Sequence, residues 1–450
     1  MRLLTWPVAA LALLWVAGQS SAQSGDLESR VKKLEMKAEE KTPANGKTAG
    51  DKNALNAWFD DGLRLKSNDG NFEARIGAYV ITHYTWNGQL NEADGRIDGF
   101  SIKESGIELY GRVWQAFEVY LLPRFGTGGA QIKYGWVEFN KWEELKIRVG
   151  VFKEPYSAET FVESIKWQDM PENSLLSLHA PNRDIGAMVH GKIGGGIFSY
   201  YAGVFNGNAP GTDENSDKDW AIRLALNPGA KSESDFIKHL YIGVNMTRGI
   251  QEKPVNQAPF SFQAPGLYGQ SGAEFHQAPA SLLEDFQING TVTRAGADLN
   301  YCFGPFELKA EYSYYKAKLE TGTEDNNTTF RSDAAMTSVA FWIGGSRTPG
   351  KRPAVDKCLF DGGMGAIQII GRYSMIHLDD TFEEHSGYGG SRNVHEFAFG
   401  VNYYPNPYVR ISAMFAQYEY DKQDSRQVGT ADGGETNDEN VIIIRAQVDF

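Results

Sequence analysis

The chain has 450 residues, with 57 acidic and 44 basic side chains and a formal charge of −13 at pH 7. This acidity argues against nucleic acid as a partner, because phosphates require clustered Lys and Arg. Two cysteines in so long a chain exclude a small scaffold built on disulfides, and they leave open whether Cys302 and Cys358 pair or stay free.

The first 22 residues have the pattern of a secretory signal peptide. A basic start at Arg2 precedes an apolar run over 3–17, and the small residues Ser20 and Ala22 predict cleavage after Ala22. The alternative, a transmembrane anchor helix, needs about 20 apolar residues, more than this run supplies. No later stretch is apolar for long enough to form a membrane helix. The pattern therefore predicts an exported protein.

Residues 23–61 form a separate polar segment that we expect in the periplasm. Leu27, Val31, Leu34 and Ala38 recur at the spacings of a coiled-coil seam. The seam is shorter than the roughly three or four heptads of a sustained coiled coil. Two interpretations stay open: a solvated helix or disordered arm, or a short helical coiled coil. Residues 42–52, rich in Gly, Lys and Thr, are predicted to be a linker.

From Phe72 onward the pattern changes to strict alternation. Phe72, Ile76 and Val80 share one face of the first segment, and polar residues occupy the other. Such alternation predicts a strand with one apolar and one polar face. It recurs to the end of the chain, where Arg445 and Asp449 lie on the polar face of a strand that ends at Phe450.

The alternating segments predict a transmembrane antiparallel β-barrel over 62–450. Single-chain bacterial barrels have an even number of strands, and the 21 Tyr and 25 Phe suit aromatic girdles at the membrane surfaces. We expect sixteen strands, or up to eighteen if Leu63–Leu65 begins another. The predicted strands are 72–84, 101–113, 116–125, 131–140, 145–152, 184–192, 197–206, 219–227, 238–248, 291–302, 305–318, 333–345, 365–378, 393–404, 408–421 and 440–450.

The connections between these strands also favour a barrel over a soluble β-sandwich. One set is brief and is expected on the periplasmic side, as at 114–115, 193–196, 303–304 and 405–407. The opposite set is mostly long, as expected of extracellular loops. One periplasmic connection, 346–364, breaks the rule and contains Cys358; the sequence offers no reason for its length.

The long outer loops are acidic. Each of the seven loops 85–100, 153–183, 207–218, 249–290, 319–332, 379–392 and 422–439 has a formal charge of −2 or −3. Two interpretations stay open: ordinary solvated loops, or an outer rim where divalent cations bridge the loops to anionic lipid.

Nothing in the sequence predicts an enzyme, a cofactor or a metal site. The chain has no Gly-x-Ser-x-Gly elbow and no His-Glu-x-x-His helix. His83, His190, His377 and His395 are isolated in strands, where wall or girdle positions are the simpler interpretation.

The third outer loop, 153–183, is the candidate constriction. A sixteen-stranded lumen is wide enough for water, so an inward loop would narrow it, whereas a surface loop is the alternative. The predicted constriction and anion path consists of Lys153, Lys166, Arg183, Arg112, Arg124 and Arg148. Further inward positions predict a basic lumen wall of Arg75, Lys133, Arg223, Arg294, Arg372 and Arg410.

Rings of basic side chains in a pore favour anions. Acidic residues are predicted to face the same lumen: Glu73, Glu108, Glu118, Asp298, Glu307, Glu311 and Asp449. Mixed charge of this kind also occurs simply because lumen walls are wet, and inward ion pairs stiffen a barrel. Anion conduction and structural pairing therefore remain alternatives at this point.

Several spaced motifs resemble the phosphate-selective porin O and P family. They are FEARIG (72–77), VGVFKEPY (149–156), YAGVFNG (201–207), RYS (372–374) followed by LDD (378–380), YYPNP (403–407) and RAQVDF (445–450). The resemblance implies a homotrimeric outer-membrane porin of sixteen strands whose third loop constricts each pore. Lys153 is the basic residue that lies within a matching motif, and the acidic outer loops depart from the basic entrances of phosphate-selective members.

These observations predict an outer-membrane porin for small hydrophilic solutes, with mild anion selectivity. Its expected partners are outer-membrane lipid, small anionic or neutral solutes, and the barrel-assembly machinery, which would recognise Phe450 as an assembly signal. The alternative is a structural or adhesive barrel with acidic loops and a plugged lumen.

Overall fold

The computed structural model describes residues 54–87, 98–126, 129–207, 216–254, 286–321, 327–381, 392–421 and 438–450. The strands are β1 (Leu55–Phe59), β2 (Leu63–Ser67), β3 (Phe72–Asn87), β4 (Gly99–Val113), β5 (Phe117–Gly126), β6 (Gly129–Phe139), β7 (Lys146–Lys153), β8 (Arg183–Ile193), β9 (Phe198–Phe205), β10 (Asp219–Leu226), β11 (Leu240–Pro254), β12 (Phe286–Phe303), β13 (Phe306–Thr321), β14 (Asn327–Ile343), β15 (Gly345–Ser346), β16 (Ala354–Val355), β17 (Ala366–Leu378), β18 (Asn393–Asn406), β19 (Val409–Tyr420) and β20 (Asp438–Asp449).

Sixteen of these strands, β3–β14 and β17–β20, form a closed antiparallel barrel. Each strand pairs with the next, and β20 closes the ring against β3 from Val441↔Asn87 to Asp449↔Tyr79. Phe450 extends this pairing by exchanging two backbone hydrogen bonds with Ala78. The predicted barrel of sixteen strands is confirmed.

The alternation in the sequence matches the two faces of the wall. On β20, Ile444 and Val448 are about half exposed on the outer face, whereas Arg445 and Gln447 are buried on the inner face. Because a strand turns successive side chains to opposite faces, one pattern supplies both a lipid-facing and an inward surface.

The short hairpin β1–β2 adds to the barrel beside β3. β2 pairs with the first part of β3, from Leu63↔Ile76 to Lys66↔Glu73, and β20 pairs with the rest of β3. The hairpin therefore continues the wall where β20 ends. Leu63–Leu65 does begin a strand, and β1 lies within the range 23–61 that the sequence assigns to the N-terminal segment.

The long connection between β14 and β17, which the sequence analysis expects on the periplasmic side, folds back toward the barrel. It contains the small antiparallel pair β15–β16 and the short helix Leu359–Asp361. The Arg347 side chain is 1% exposed and contacts acidic residues from the third outer loop and the barrel wall. The connection therefore supplies contacts within the barrel that the sequence pattern does not reveal.

The helices of the described ranges are short: Ser157–Val162, Leu175–Leu178, Asp235–Lys238 and Leu359–Asp361. None of them has the length and apolar character needed to cross a membrane. Cys302 and Cys358 are both free thiols, so the pairing left open by the sequence is not formed.

Candidate pore and its constriction

The third outer loop, residues 154–182, lies inside the barrel. The Glu311 carboxylate on β13 accepts hydrogen bonds from the backbone N–H groups of Ala158 (3.0 Å) and Glu159 (3.1 Å). The Tyr156 hydroxyl lies 2.6 Å from the Ser313 hydroxyl, also on β13. The loop crosses from β7 to the far wall, so the expectation of an inward loop holds.

His179 fixes the end of the loop to the same wall. Its ring nitrogens lie 3.0 Å from the Ser313 hydroxyl and 2.8 Å from the Ser332 hydroxyl. Burial, with a smaller contribution from the nearby Arg294, lowers the pKa of His179 to about 3. The ring is therefore neutral near pH 7 and joins the loop to β13 and β14 through hydrogen bonds.

A buried ionic cluster holds the middle of the loop. Lys309 Nζ on β13 lies 2.6 Å from Asp169 and 3.1 Å from Glu163, and Arg347 bonds to both of these carboxylates. Burial alone would raise the pKa of the Asp169 carboxyl, but Arg347 and Lys309 lower it well below its usual range. The Asp169 carboxyl is therefore ionised, and both loop carboxylates lie between the two cations.

Backbone carbonyls of the loop receive further cationic donors from the wall. Arg410 donates to the Gln168 carbonyl (2.6 Å), Arg372 to the Glu172 carbonyl (2.8 Å), and Arg445 to the Pro171 carbonyl. These guanidinium groups are buried, and hydrogen bonds to carbonyls satisfy part of their capacity. Arg372 and Arg410, predicted to line an open lumen, instead hold the loop in place.

The loop also brings apolar side chains into the lumen. Met170, Leu175 and Leu176 pack in one buried cluster with inward residues of β14 and β17–β20, including Met336 and Ile370. Burying this apolar surface stabilises the inward loop, because transfer from water is favourable at roughly 25 cal/mol per Å². The β14–β20 side of the lumen is thereby filled, in contrast to the wet wall expected from the sequence.

An open cavity remains between the loop and the opposite wall. Its volume is about 850 Å³, and it opens beside the outer ends of β3–β6. The charged residues along it are Asp98, Lys103, Glu104, Arg124, Lys133, Lys153, Glu159, Glu163, Glu172 and Arg183. This cavity is the candidate outer vestibule of a pore.

Four of the six predicted constriction residues are paired with carboxylates. The contacts are Arg112–Glu118 (2.6 Å), Arg124–Glu104 (3.6 Å), Arg148–Glu138 (2.6 Å) and Lys166–Glu108 (2.9 Å). Each pair cancels most of its own field at a distance. These four residues therefore contribute less to ion selection than the sequence implies.

Lys153 and Arg183 differ from the other four. They are direct cross-strand partners on β7 and β8. Lys153 Nζ donates to the Glu163 backbone carbonyl (2.6 Å), and Arg183 donates to the Tyr134 hydroxyl (3.2 Å) and the Asn182 side chain (2.8 Å). Within the described part of the chain, neither makes a salt bridge to a carboxylate. Ion pairing with a carboxylate therefore does not neutralise this part of the wall, in contrast to the other four positions.

The predicted lumen-wall residues also separate into paired and unpaired groups. Arg75 contacts Asp61 and Glu108, Lys133 bonds to Glu104, and Arg223 forms a bidentate pair with Asp298 at 2.6 and 2.8 Å. Arg294 instead lies over the Tyr315 ring, 5.2 Å from its centroid.

The sequence analysis did not identify Lys309 and Arg347 as site residues. Strand alternation places Lys309 on an inward face, so its direction was predictable, although its partners were not. Arg347 lies in a periplasmic turn, and no local pattern indicates that it reaches Asp169, 178 positions away. Only the folded chain brings these residues together.

Comparisons with known proteins agree with this architecture. A family model described as phosphate-selective porin O and P matches residues 85–450. Two similar solved structures are an anion-selective porin from Comamonas acidovorans and the outer membrane channel DcaP of Acinetobacter baumannii. Both are 11% identical with a TM-score of 0.52; the matches cover 84% of this chain and 100% of the first protein, and 86% and 99% for the second. At this identity they show the fold alone.

One curated relative was also found. An uncharacterized protein of Aquifex aeolicus is 24% identical over 231 residues, covering 41% of this chain. The match spans 54% of the length of that relative, so it bears on part of the fold and not on a whole protein's activity.

Proposed function

Because the chain belongs to the phosphate-selective porin O and P family, we propose that this outer-membrane channel is a non-enzymatic porin with a mild preference for small anions. The observation that carries the preference is the Lys153–Arg183 pair on the vestibule. Arg124 and Lys133 lie on the same cavity and share the Glu104 carboxylate. On this side of the vestibule the four basic side chains outnumber the Glu104 carboxylate, and the local excess attracts an entering anion.

The acidic outer loops other than the third are expected to act differently from these wall residues. Charges exposed to bulk water are screened over about 8–10 Å at physiological salt, so the loops act mainly on the rate of entry. Inside the vestibule, low-dielectric walls focus the field of unpaired groups. The preference is mild because Arg112, Arg148 and Lys166 are paired with carboxylates.

Reversal potentials in asymmetric KCl test the proposal. We expect wild-type channels to favour chloride, and Lys153→Glu with Arg183→Glu to shift the reversal potential toward potassium. A matched control is Lys316→Glu with Arg331→Glu, which changes a cross-strand pair of exposed cations on β13 and β14. The control should leave the potential unchanged. A cation-selective wild-type channel at high salt would overturn the proposal.

We propose that the channel assembles as a homotrimer through the wall around β7, β9 and β10. Each of these strands has eight residues, fewer than the roughly 9–11 that cross a bilayer. Val204, Trp220 and Ile222 leave an apolar outer surface there. A second copy would cover this low wall better than lipid can. Trp220→Arg should convert native trimers to monomers on native mass measurement, and unchanged trimers would contradict this assignment.

Two further elements of the proposal concern export and assembly. The N-terminal 22 residues are proposed to be a cleaved signal peptide. Phe450, which ends the closing strand with a half-exposed ring, is proposed as the signal that the assembly machinery recognises.

A plugged structural barrel is the second candidate function. The apolar packing of the loop against Met336 and Ile370, with the paired lumen charges, favours it. Single-channel recording separates the two, because a plugged barrel gives no steady conductance after assembly into a bilayer.

A further inference from the structure

A row of aromatic side chains lies directly below the Lys153–Arg183 pair on the open side of the lumen. Tyr120 on β5 and Tyr134 and Trp136 on β6 lie on the inward faces of their strands, and each residue is only partly buried. The Tyr120 ring centroid lies 5.8 Å from that of Tyr134 and 5.5 Å from that of Trp136. The three rings form one continuous aromatic surface.

Guanidinium groups cover both ends of this surface. At the outer end, Arg183 lies over the Tyr134 ring, 4.7 Å from its centroid. At the periplasmic end, Arg148 lies over the Trp136 ring at 4.1 Å. The strand register places Trp136 between these two levels, since Lys153 pairs with Arg183 and Glu138 pairs with Arg148. Cation and ring therefore alternate along the wall.

Glycines make room for these rings. Gly150 is the cross-strand partner of Trp136, and a Cβ there would lie 2.7 Å from the Trp136 Cα and 2.2 Å from the Gly135 carbonyl oxygen. Its φ of 134° is also a conformation that side chains rarely adopt. The neighbouring inward position on β8 is Gly186. The wall at this height thus consists of backbone and aromatic faces.

The third loop supplies the opposite side of the passage. Ile165, like Tyr120 and Tyr134, packs against the buried cluster of Tyr79, Ile81 and Leu122. Earlier in the loop, the Phe161 ring lies 5.1 Å from the Tyr201 ring of β9. The loop therefore adds apolar and aromatic groups beside these rings, next to the vestibule.

Arg183 retains hydrogen-bonding capacity at the entrance to this passage. Its Nε is buried with no hydrogen-bond partner, while its other nitrogens bond to neutral oxygens. A buried donor without a partner is costly, and an oxygen from a bound anion would satisfy it. The position directly above Tyr134 therefore suits a carboxylate that carries a flat apolar group.

We propose that the solutes for which this pore is selective are small aromatic carboxylates. The carboxylate would enter against Lys153 and Arg183, while the ring stacks along Tyr134, Tyr120 and Trp136 toward Arg148. Aromatic rings attract one another in offset or edge-to-face arrangements. A hydrated inorganic anion makes no favourable contact with aromatic faces and would lose hydration water beside them. An aromatic acid, in contrast, can pack its own apolar ring against these faces.

This inference rests on the proposed anion preference, and bi-ionic potentials can separate the two. Wild-type channels in a planar bilayer would be measured with KCl on one side and potassium benzoate or cyclohexanecarboxylate on the other. The two acids match in size and charge, but only benzoate is flat and aromatic. We expect the permeability of benzoate relative to chloride to exceed that of cyclohexanecarboxylate by about threefold or more.

Paired substitutions assign the effect to the rings. Tyr134→Leu with Trp136→Leu should make the two acids equally permeant, whereas Tyr134→Phe with Trp136→Phe should keep most of the difference. If the leucine variant does not assemble, the test is the block of chloride current by each acid in the wild type and in the phenylalanine variant. We expect benzoate to block both channels at millimolar concentrations and cyclohexanecarboxylate to block neither.

Equal permeability of the two acids in a chloride-selective wild type would overturn this inference and leave the proposed function intact. An unchanged difference in the leucine variant would also overturn it. A cation-selective wild type would overturn both.

Discussion

Replacing Arg347 by Met should release the third loop without unfolding the barrel. In the wild type, Arg347 and Lys309 share three carboxylates, those of Glu163, Asp169 and Glu307. The substitution leaves all three carboxylates buried around a single cation. Breaking a buried ion pair by removing one partner costs about 3–5 kcal/mol.

This cost falls on the loop and not on the strand ladder. Arg347 bonds to loop side chains from a periplasmic turn, and the sixteen strands keep their backbone pairing. Because about 1.4 kcal/mol is a tenfold change in an equilibrium constant, the population with a displaced loop should rise by roughly two to four orders of magnitude. Displacement opens the filled side of the lumen.

Single-channel recording would show this as flicker to a higher conductance level. A matched control is Arg352→Met, five positions along the same turn. Arg352 forms ion pairs with Asp61 and Asp449, and in the described residues its contact with the loop is with the Trp167 ring, 5.8 Å from the centroid, and not with a loop carboxylate. The control should leave conductance unchanged. Adding Asp169→Asn to Arg347→Met should reduce the flicker, because it removes one carboxylate that has lost its partner.

Traces of the Arg347→Met channel that match the wild type would refute this reasoning. That result would mean that the apolar contacts of Met170, Leu175 and Leu176 hold the loop without the ionic cluster.

Four further predictions follow from the same structure. Deleting Phe450 should leave the chain unassembled, as heat-modifiability gels would show; normal trimers would count against its proposed role. Deleting residues 157–178 should raise single-channel conductance several-fold with assembly intact, and unchanged conductance would mean that the loop does not restrict the pore. Deleting residues 55–67 should lower the temperature at which the barrel unfolds on such gels, because the first part of β3 loses its β2 partner; an unchanged temperature would contradict a stabilising hairpin. The pKa of His179 is about 3 when folded and ordinarily 6.5, so the unfolded chain binds more protons and stability falls as pH falls from 6.5 toward 3; His179→Asn should flatten this acid dependence of unfolding, and an unchanged slope would place its origin elsewhere.

The sequence alone determined the barrel and the direction of its side chains. Alternation with a period of two determines which residues share a face of a strand. Because the apolar face must contact lipid and the polar face must turn inward, each strand has one favourable register with its neighbours. Arg445 and Ile444 were therefore assigned to opposite faces correctly. Brief and long connections, alternating along the chain, were enough to assign most turns to one end of the barrel and most loops to the other.

Tertiary structure decided which inward charges remain available to a solute. Arg148 and Arg183 are both inward basic residues in the sequence, yet Glu138 neutralises Arg148 and no described carboxylate forms a salt bridge with Arg183. The difference depends on side chains brought within about 4 Å by strand register and by the inward loop. The Coulomb energy of two charges falls with distance and rises in a low dielectric, so these close contacts determine how much charge each inward residue presents to a solute. Sequence spacing carries no information about these contacts, because folding brings together residues such as Asp169 and Arg347 from distant parts of the chain.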